Sequence, residues 1–461
     1  MPFYRIFSTK DNWITNKSLD GTLTNRATGS NLGTSPALNV FAAKDEIQTG
    51  SIELARTLID FDITELSGKI YTDRIIPSSS VSYILKMFDM KHGETIPTSY
   101  DLFVYPLSRS WDEGGGIDSD DFEDYGYSNW LSASSTVTWT VTGSDFVTHV
   151  SSSQHFDTGQ EDLEVNITSL INEWLTGSMS NRRNGIVLKL GTTEESNGVH
   201  YYVKKLHSGE SKFVDRTPYI EARWSDVLKD NRGNFGYNVE NKLFMYNFVR
   251  GELTVVQEPV TVRIQDHLIG ASSSYSASFS TYQIASGVLT ASITISNTAS
   301  FSASFYDIWF SGSRIYLTGT FKPLSLTASS VDQYNEFTLD VTNLKRVYSV
   351  DEEARLKVNV RNRDYKTHRG VVATASLASQ KEYIEKMYYS IENNETGEIV
   401  VPFGTSSTNP YTQLSYDNNG NYFNIWMKSF VPGFMYKFKF LIDINNNDKK
   451  IIEEDFLFKV I

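Results

Sequence analysis

Residues Ile52–Ile63 read Ile-Glu-Leu-Ala-Arg-Thr-Leu-Ile-Asp-Phe-Asp-Ile. Ile52 and Leu54 flank Glu53, and Ile59, Phe61 and Ile63 recur at every second position around Asp60 and Asp62. A two-residue period of this kind belongs to a strand that buries one face. Arg56 and Asp60, on the same run, are read as a solvated or paired charged face rather than a site. Strand-like patterns continue outward at Val81–Met87, Leu102–Tyr105, Thr136–Val141, Gly185–Leu190, Tyr201–Leu206 and Tyr219–Trp224, with Gly, Asn, Ser and Asp between them. The clearest helical run is Ile167–Leu175. Thr168 or Ser169 can cap it, Leu170, Ile171, Trp174 and Leu175 form its apolar face, and Gly177 stops it. Residues 1–225 are therefore predicted to be a jelly-roll-like β-sandwich with one short helix lying across it.

A polar, Gly- and Asn-rich segment follows, and residues 226–242 are predicted to be a linker. The β pattern restarts over 243–343. Tyr275, Ala277 and Phe279 alternate with serines, as do Phe301, Ala303 and Phe305, so this Ser-rich region is read as strands in preference to low-complexity linker. Residues 344–461 form a third unit. Leu356, Val358 and Val360 share one strand face, and Met387–Ile391, Tyr422–Met427, Tyr436–Ile442 and Phe456–Ile461 supply further strands. Turns are read at Asn418–Gly420 and Asn445–Asp448. Short strands at this spacing suit an Ig-like sandwich, in architecture only, because the Cys-Trp-Cys hallmark is absent. The chain is thus predicted to be all-β, its sandwich followed by two smaller Ig-like β-sandwich units. Its 461 residues fit three domains of roughly 100–200 residues each. No internal repeat of about 20–50 residues points to a solenoid or propeller.

Composition narrows the function. Apolar residues make up 40 % and charged residues 21 %, which suits a folded globular chain. The 26 Tyr and 27 Phe favour pleated surfaces. A net charge of −13 argues against a protein that grips nucleic-acid phosphates. With no cysteine, disulfide scaffolds, Cys-based zinc sites and thiol catalysis are excluded. Met1–Phe7 lacks the charged start and apolar core of a secretion signal, and no run reaches the ~18 apolar residues of a membrane span. Synthesis in a cytoplasm without an address is the expectation.

No phosphate-binding loop, dinucleotide turn, zinc helix or nucleophile elbow is present. The seven histidines show no HxH or HxxxH spacing and are read as exposed or singly hydrogen-bonded. The acidic loop Asp112–Asp124 admits three readings: a solvated or subunit-contacting loop, a calcium site, or a glycosidase acid/base pair. Asp118, Asp120, Asp121 and Glu123 are its candidate calcium ligands. Near the carboxyl end, Asp443, Asn445, Asn447 and Glu454 also follow the spacing of a calcium loop. Asp448 stands where the turn glycine of such a loop belongs, and a plain hairpin turn reads better. Trp111, Trp130 and Trp139 surround the acidic loop. Trp111 and Trp130 are candidates for stacking on sugar rings, against a reading as packing residues. No catalytic residue and no cofactor other than calcium is expected.

In order along the chain come NLGTSPALNV (Asn31–Val40), ELARTLIDFDI (Glu53–Ile63), YPLSRSWDEG (Tyr105–Gly114), SNWL (Ser128–Leu131), ITSLINEWLTG (Ile167–Gly177) and NGIVLKL (Asn184–Leu190). YYVKKLHSGES (Tyr201–Ser211), RTPYIEARWSD (Arg216–Asp226) and DNRGN (Asp230–Asn234) follow. The series resembles the DNRLRE-type, carbohydrate-binding-module-like β-sandwich domain over about residues 1–241, although the literal DNRLRE string is absent. The resemblance implies a tailed-phage virion structural protein at the neck or collar, at the tail or fibre attachment, or as a capsid decoration. The implied chain is non-enzymatic, assembles in the host cytoplasm, and forms ring or fibre homo-oligomers with other virion proteins, without membrane or direct nucleic-acid contact. The alternative is a module that binds glycans on the host surface.

Overall fold

The first strand, β1 (Phe3–Thr15), belongs to two sheets. The computed structural model describes residues 2–20, 24–44, 52–119, 124, 126–180, 182–197, 201–250, 252–267, 274–296, 304–323, 337–362, 384–443 and 449–461. The chain divides into two compact units, one of them made of Pro2–Trp224 with Lys428–Val431. After β1 this unit contains β2 (Ala37–Lys44), β3 (Ile52–Phe61), α1 (Ile63–Tyr71), β4 (Ser82–Met87), β5 (Tyr100–Pro106), β6 (Ser152–Phe156), β7 (Leu163–Asn166), α2 (Thr168–Leu175), β8 (Ile186–Leu190), α3 (Thr192–Ser196), β9 (Tyr202–His207) and β10 (Tyr219–Arg223).

Phe3–Phe7 of β1 pair with β10, and the sheet continues through β4 to β7. Lys10–Thr15 pair with β3, from which one branch runs through β8 and β5 to β6 and another through β2 to β9. The register shifts between Ser8 and Lys10, the irregularity by which a strand turns from one sheet into another. Tyr4 and Ile6 on one side of the shift and Trp13 on the other all enter the same core. That core joins Leu85, Met87 and Ile220 of the first sheet to Leu38, Val40, Ile59, Leu102 and Leu188 of the second. Burying each such side chain is worth about 1.5–3 kcal/mol before conformational entropy is set against it. The unit is a β-sandwich.

Where one short helix is predicted, three form among the described residues. α1 starts at Ile63, predicted as the last residue of a strand. Asp62 ends the strand by accepting hydrogen bonds from the backbone N–H groups of Thr64 and Glu65 at 2.9 and 3.1 Å, a capping arrangement legible in Asp62-Ile-Thr-Glu65. α2 buries Leu170, Ile171 and Trp174 as expected. It has no side-chain cap, because Thr168 Oγ1 accepts from the backbone N–H of Tyr83 on β4 instead. α3 adds a third, five-residue helix. Thr136–Val141, predicted to be a strand, forms only an isolated bridge between Ser132 and Thr138.

The other compact unit comprises Ser225–Met427 and Pro432–Ile461. In its first half, Asn241–Tyr246 pairs with Val288–Ile293 and then Tyr282–Ala285. A four-stranded sheet of Ser276–Ser280, Thr261–Gln265, Phe305–Ser311 and Arg314–Phe321 shares a core with them, which includes Val262, Trp309, Leu243 and Phe321. Tyr275, Ala277 and Phe279 are half-buried while the serines between them are exposed, as their alternation predicts. Phe301 and Ala303 lie outside the described residues.

In the second half Leu356, Val358 and Val360 are buried on one strand face, again as predicted. Phe423 of that sheet lies 4.5 Å from Tyr389 and 5.4 Å from Phe438 of the facing sheet, ring centre to ring centre. The whole chain is all-β in class, and no helix among the described residues is long and apolar enough to cross a membrane.

Candidate functional site

The described residues between 107 and 151 carry almost no regular structure, yet they cover the outer face of β1, β3 and β8. Ile14, Leu58 and Val187 point to that face and pack with Trp111, Trp130, Ala133 and Trp139. The sheet is therefore apolar on both sides, which is why Leu58 and Ile59 stand side by side on β3. Trp111 is 2 % and Trp130 6 % exposed. Trp111 donates from Nε1 to the Asn184 carbonyl at 3.1 Å, and Trp139 to the Asn129 carbonyl at 2.8 Å. Lys10 Nζ sits 4.5 Å from the Trp111 ring centre, and the Arg56 guanidinium 5.3 Å from that of Trp130. The expectation that Trp111 and Trp130 stack on sugars is therefore corrected. Both are anchors that fasten a long loop to the sheet, and their rings are spent on packing and cation contacts.

Two close approaches fix this loop. A Cβ on Gly33 would lie 2.5 Å from the Glu113 carbonyl, and Gly143, at φ +84°, leaves room for the Trp130 ring. Arg56 donates from Nη1 to the Gly143 carbonyl at 2.6 Å and pairs with Glu195 of α3 at 2.8 Å. Lys189 joins the same carboxylate at 2.9 Å. Asp60 pairs with Lys10 at 3.5 Å. Arg56 and Asp60 thus belong to separate ion pairs.

Of the calcium candidates, Asp118 is exposed, and Asp120, Asp121 and Glu123 lie outside the described residues. Asp124 accepts from the Gly115 N–H at 3.1 Å. Among the described residues no group of three His, Asp or Glu side chains is arranged to hold a metal. Near the carboxyl end, Asp443 pairs with Lys449 in two antiparallel strands, and Asn445, Asn447 and Asp448 lie outside the described residues. His155 is exposed between Asp101 and Asp157, and His207 bonds Ser211 at 2.9 Å.

A carboxylate cluster with no signature in the sequence lies beneath the loop. Asp11 of β1 is 2 % exposed. Its Oδ2 accepts from the Gly209 N–H at 2.7 Å, while Oδ1 is buried with no hydrogen-bond partner. Its own backbone N–H donates to Glu113 Oε1 at 2.6 Å. Burial pushes the Asp11 carboxyl up to about 7, with Glu113 and Glu210 adding to the rise against the Gly209 hydrogen bond. Glu113 is raised as well, chiefly by burial. Lys10 offers little relief, since its Nζ donates to the Trp111 carbonyl at 2.7 Å.

Residues 226–242, expected as a linker, form an ordered hub in the second unit. Arg232 pairs with Asp230 and with Asp307, each at 2.6 Å, and Asp307 also accepts from Trp309 Nε1 at 2.8 Å. Asp230 is pushed up to about 6 by burial, against the pull of Arg232. Lys229 bridges to Tyr416, and the Leu228 N–H donates to Ser415 Oγ at 3.0 Å. The segment therefore ties the two halves of its unit together.

The same unit exposes large apolar side chains close together in the fold. Phe248 and Val249 pair with Glu252 and Leu253 in a short hairpin. The Leu253 carbonyl accepts from Ser286 Oγ, and Gln283 Oε1 accepts from the Val256 N–H, which places Tyr282–Ala285 beside the hairpin. Phe248 is 57 % and Tyr282 65 % exposed, and Val249, Leu253 and Ile284 are exposed too. Tyr282–Ala285 is the end strand of its sheet among the described residues.

The chain matches no protein family model and no curated protein sequence. Among solved structures it is similar to the tandem Ig repeats of Dlar, at 8 % identity and a TM-score of 0.15, over 50 % of this chain and 92 % of that one. It is similar to the N-terminal Ig1-2 module of the Drosophila receptor protein tyrosine phosphatase DLAR at 10 % identity and a TM-score of 0.16, over 50 % and 93 %. Dimeric latent PorU of Porphyromonas gingivalis matches at 12 % identity and a TM-score of 0.16, over 93 % of this chain and 34 % of PorU. Likenesses this distant carry no argument about function.

Proposed function

We propose that this chain is a non-enzymatic structural protein of a tailed-phage virion that works through protein–protein interfaces. The observation that carries the interface reading is the apolar group Phe248, Val249, Leu253, Tyr282 and Ile284, exposed around an end strand. Contiguous exposed apolar surface on a folded chain marks an interaction site, and an unpaired strand edge offers backbone groups to a neighbour. The virion assignment is supported separately by the ordered series of motifs over residues 1–241. The tryptophans lend no support to the glycan-binding alternative, since both candidates are buried.

The test has two arms. Cryo-electron microscopy of the source particles is expected to show this chain at the neck, tail, fibre root or capsid surface, and its absence from the particle sinks the virion reading. Light scattering on the purified chain is expected to show oligomers that the paired changes Tyr282→Asp and Ile284→Asp dissociate. Oligomers unaffected by that pair would move the interface elsewhere and remove its supporting observation.

A further inference from the structure

In the second unit an open groove of about 300 Å³ is lined by Tyr246, Phe248, Arg355, Lys357, Asp417 and Tyr422. Its size is at the low end for small-molecule sites and suits one ring-sized ligand. The apolar wall is a pair of near-parallel rings, Tyr246 and Phe248, with centres 6.5 Å apart and planes 24° apart. Phe248 is the exposed member, and the Tyr246 hydroxyl is held 3.3 Å from that of Tyr422. The opposite chemistry comes from one strand. The Arg355 guanidinium lies 3.8 Å from the Tyr422 ring centre and reaches Asp417 at only 3.8 Å. Lys357 is exposed and has no ion-pair partner among the described residues. Asp417 is already engaged, accepting from the Asn419 N–H at 2.6 Å. Two cations thus face one carboxylate, in a chain whose net charge is −13.

We propose that this groove binds an acidic saccharide, a pyranose carrying a carboxylate. The ring's C–H face lies on Phe248, as sugars pack on exposed aromatic faces. The carboxylate meets Arg355, whose planar fork matches it, with Lys357 as a second, mobile cation. This site shares Phe248 with the apolar group of the assembly reading, but its charged groups, Arg355 and Lys357, lie outside that group and its test reads sugar binding alone. It lies outside the residues that carry the family resemblance, and far in sequence from Trp111 and Trp130.

Saturation-transfer NMR and titration calorimetry on the full chain, with methyl β-D-glucuronide and the neutral methyl β-D-glucoside as probes, test it. The expected result is transfer to the glucuronide and a preference of about tenfold over the glucoside, or about 1.4 kcal/mol. Lys357→Gln should reduce that preference, and Phe248→Ser should abolish transfer to both sugars. Both side chains are exposed, so an unchanged melting temperature verifies that each variant folds. No transfer to either sugar overturns the proposal, as does equal binding of the two. Glucuronide binding that survives Phe248→Ser also overturns it, by reducing the groove to a patch of positive charge.

Discussion

Asp11→Asn isolates the cost of keeping a carboxylate under the tryptophan-anchored loop. Asparagine keeps the acceptor for the Gly209 N–H and replaces the partnerless Oδ1 with a neutral group. Because burial raises the Asp11 carboxyl from 3.8 to about 7, the folded chain holds this proton more tightly than the unfolded one. Stability from Asp11 is therefore full below the unfolded value and is lost as pH rises through about 7. At about 1.4 kcal/mol per tenfold change in proton affinity, the shift amounts to about 4 kcal/mol at most. Six of the eight tryptophans, 13, 111, 130, 139, 174 and 224, lie in the first unit, so urea unfolding followed by tryptophan fluorescence reports chiefly on it. Relative to the parent, the variant should gain up to about 4 kcal/mol between about pH 4 and about pH 8, at about 1.4 kcal/mol per pH unit until the curve levels off above about pH 7. Both proteins keep Glu113 and Glu210, so the difference between the curves belongs to Asp11 and its coupling to those two carboxylates. Parallel stability curves over that range would falsify the assignment.

Other perturbations probe the remaining features. Arg232→Met strands Asp307 in the interior and should cost about 3–5 kcal/mol of second-unit stability by calorimetry. Adding Asp307→Leu should recover much of that loss, and failure to recover would show that the triad is not acting as a unit. Trp130→Ala should cost about 3–5 kcal/mol and speed amide exchange across residues 107–151, and unchanged exchange would refute its anchoring role. Gly33→Ala places a methyl against the Glu113 carbonyl and should cost about 1–3 kcal/mol by denaturant titration, with a neutral result showing that the loop can back away. Leu253→Asp should weaken self-association in sedimentation without lowering the melting temperature, and a lowered melting temperature would place Leu253 in packing instead.

The strands that read most directly from sequence bury one face against one core, as Leu356, Val358 and Val360 do, or Tyr275, Ala277 and Phe279. β1 escapes such a reading because its register shift between Ser8 and Lys10 changes the phase of its apolar positions, so no single alternation spans it. The tryptophans look free for sugars only if the sheet has one buried face. Adjacent Leu58 and Ile59 are the available sign of two. Polar composition conceals the hub at Asp230–Arg232, because buried ion pairs and solvated linkers draw on the same residues. The cluster around Asp11 is beyond sequence reading, as its members come from positions 11, 113 and 210 and only the fold brings them together. The Asp62 cap is legible in the sequence, but the clear alternation of the strand before it runs on through Ile63 and masks it.

The strand shared by two sheets also bears on how the chain is made. Phe3–Phe7 pairs with Tyr219–Arg223, so the amino-terminal segment leaves the ribosome more than two hundred residues ahead of its partner. At translation rates of about 5–20 residues per second, that interval is on the order of 10–40 s. Throughout it, Tyr4 and Ile6 lack the strand that covers their edge. The first sandwich therefore closes late, timed by the emergence of Tyr219–Arg223, and a nascent chain stalled before residue 219 holds the Phe3–Phe7 half of its first strand unpaired and open to association with its neighbours on the polysome.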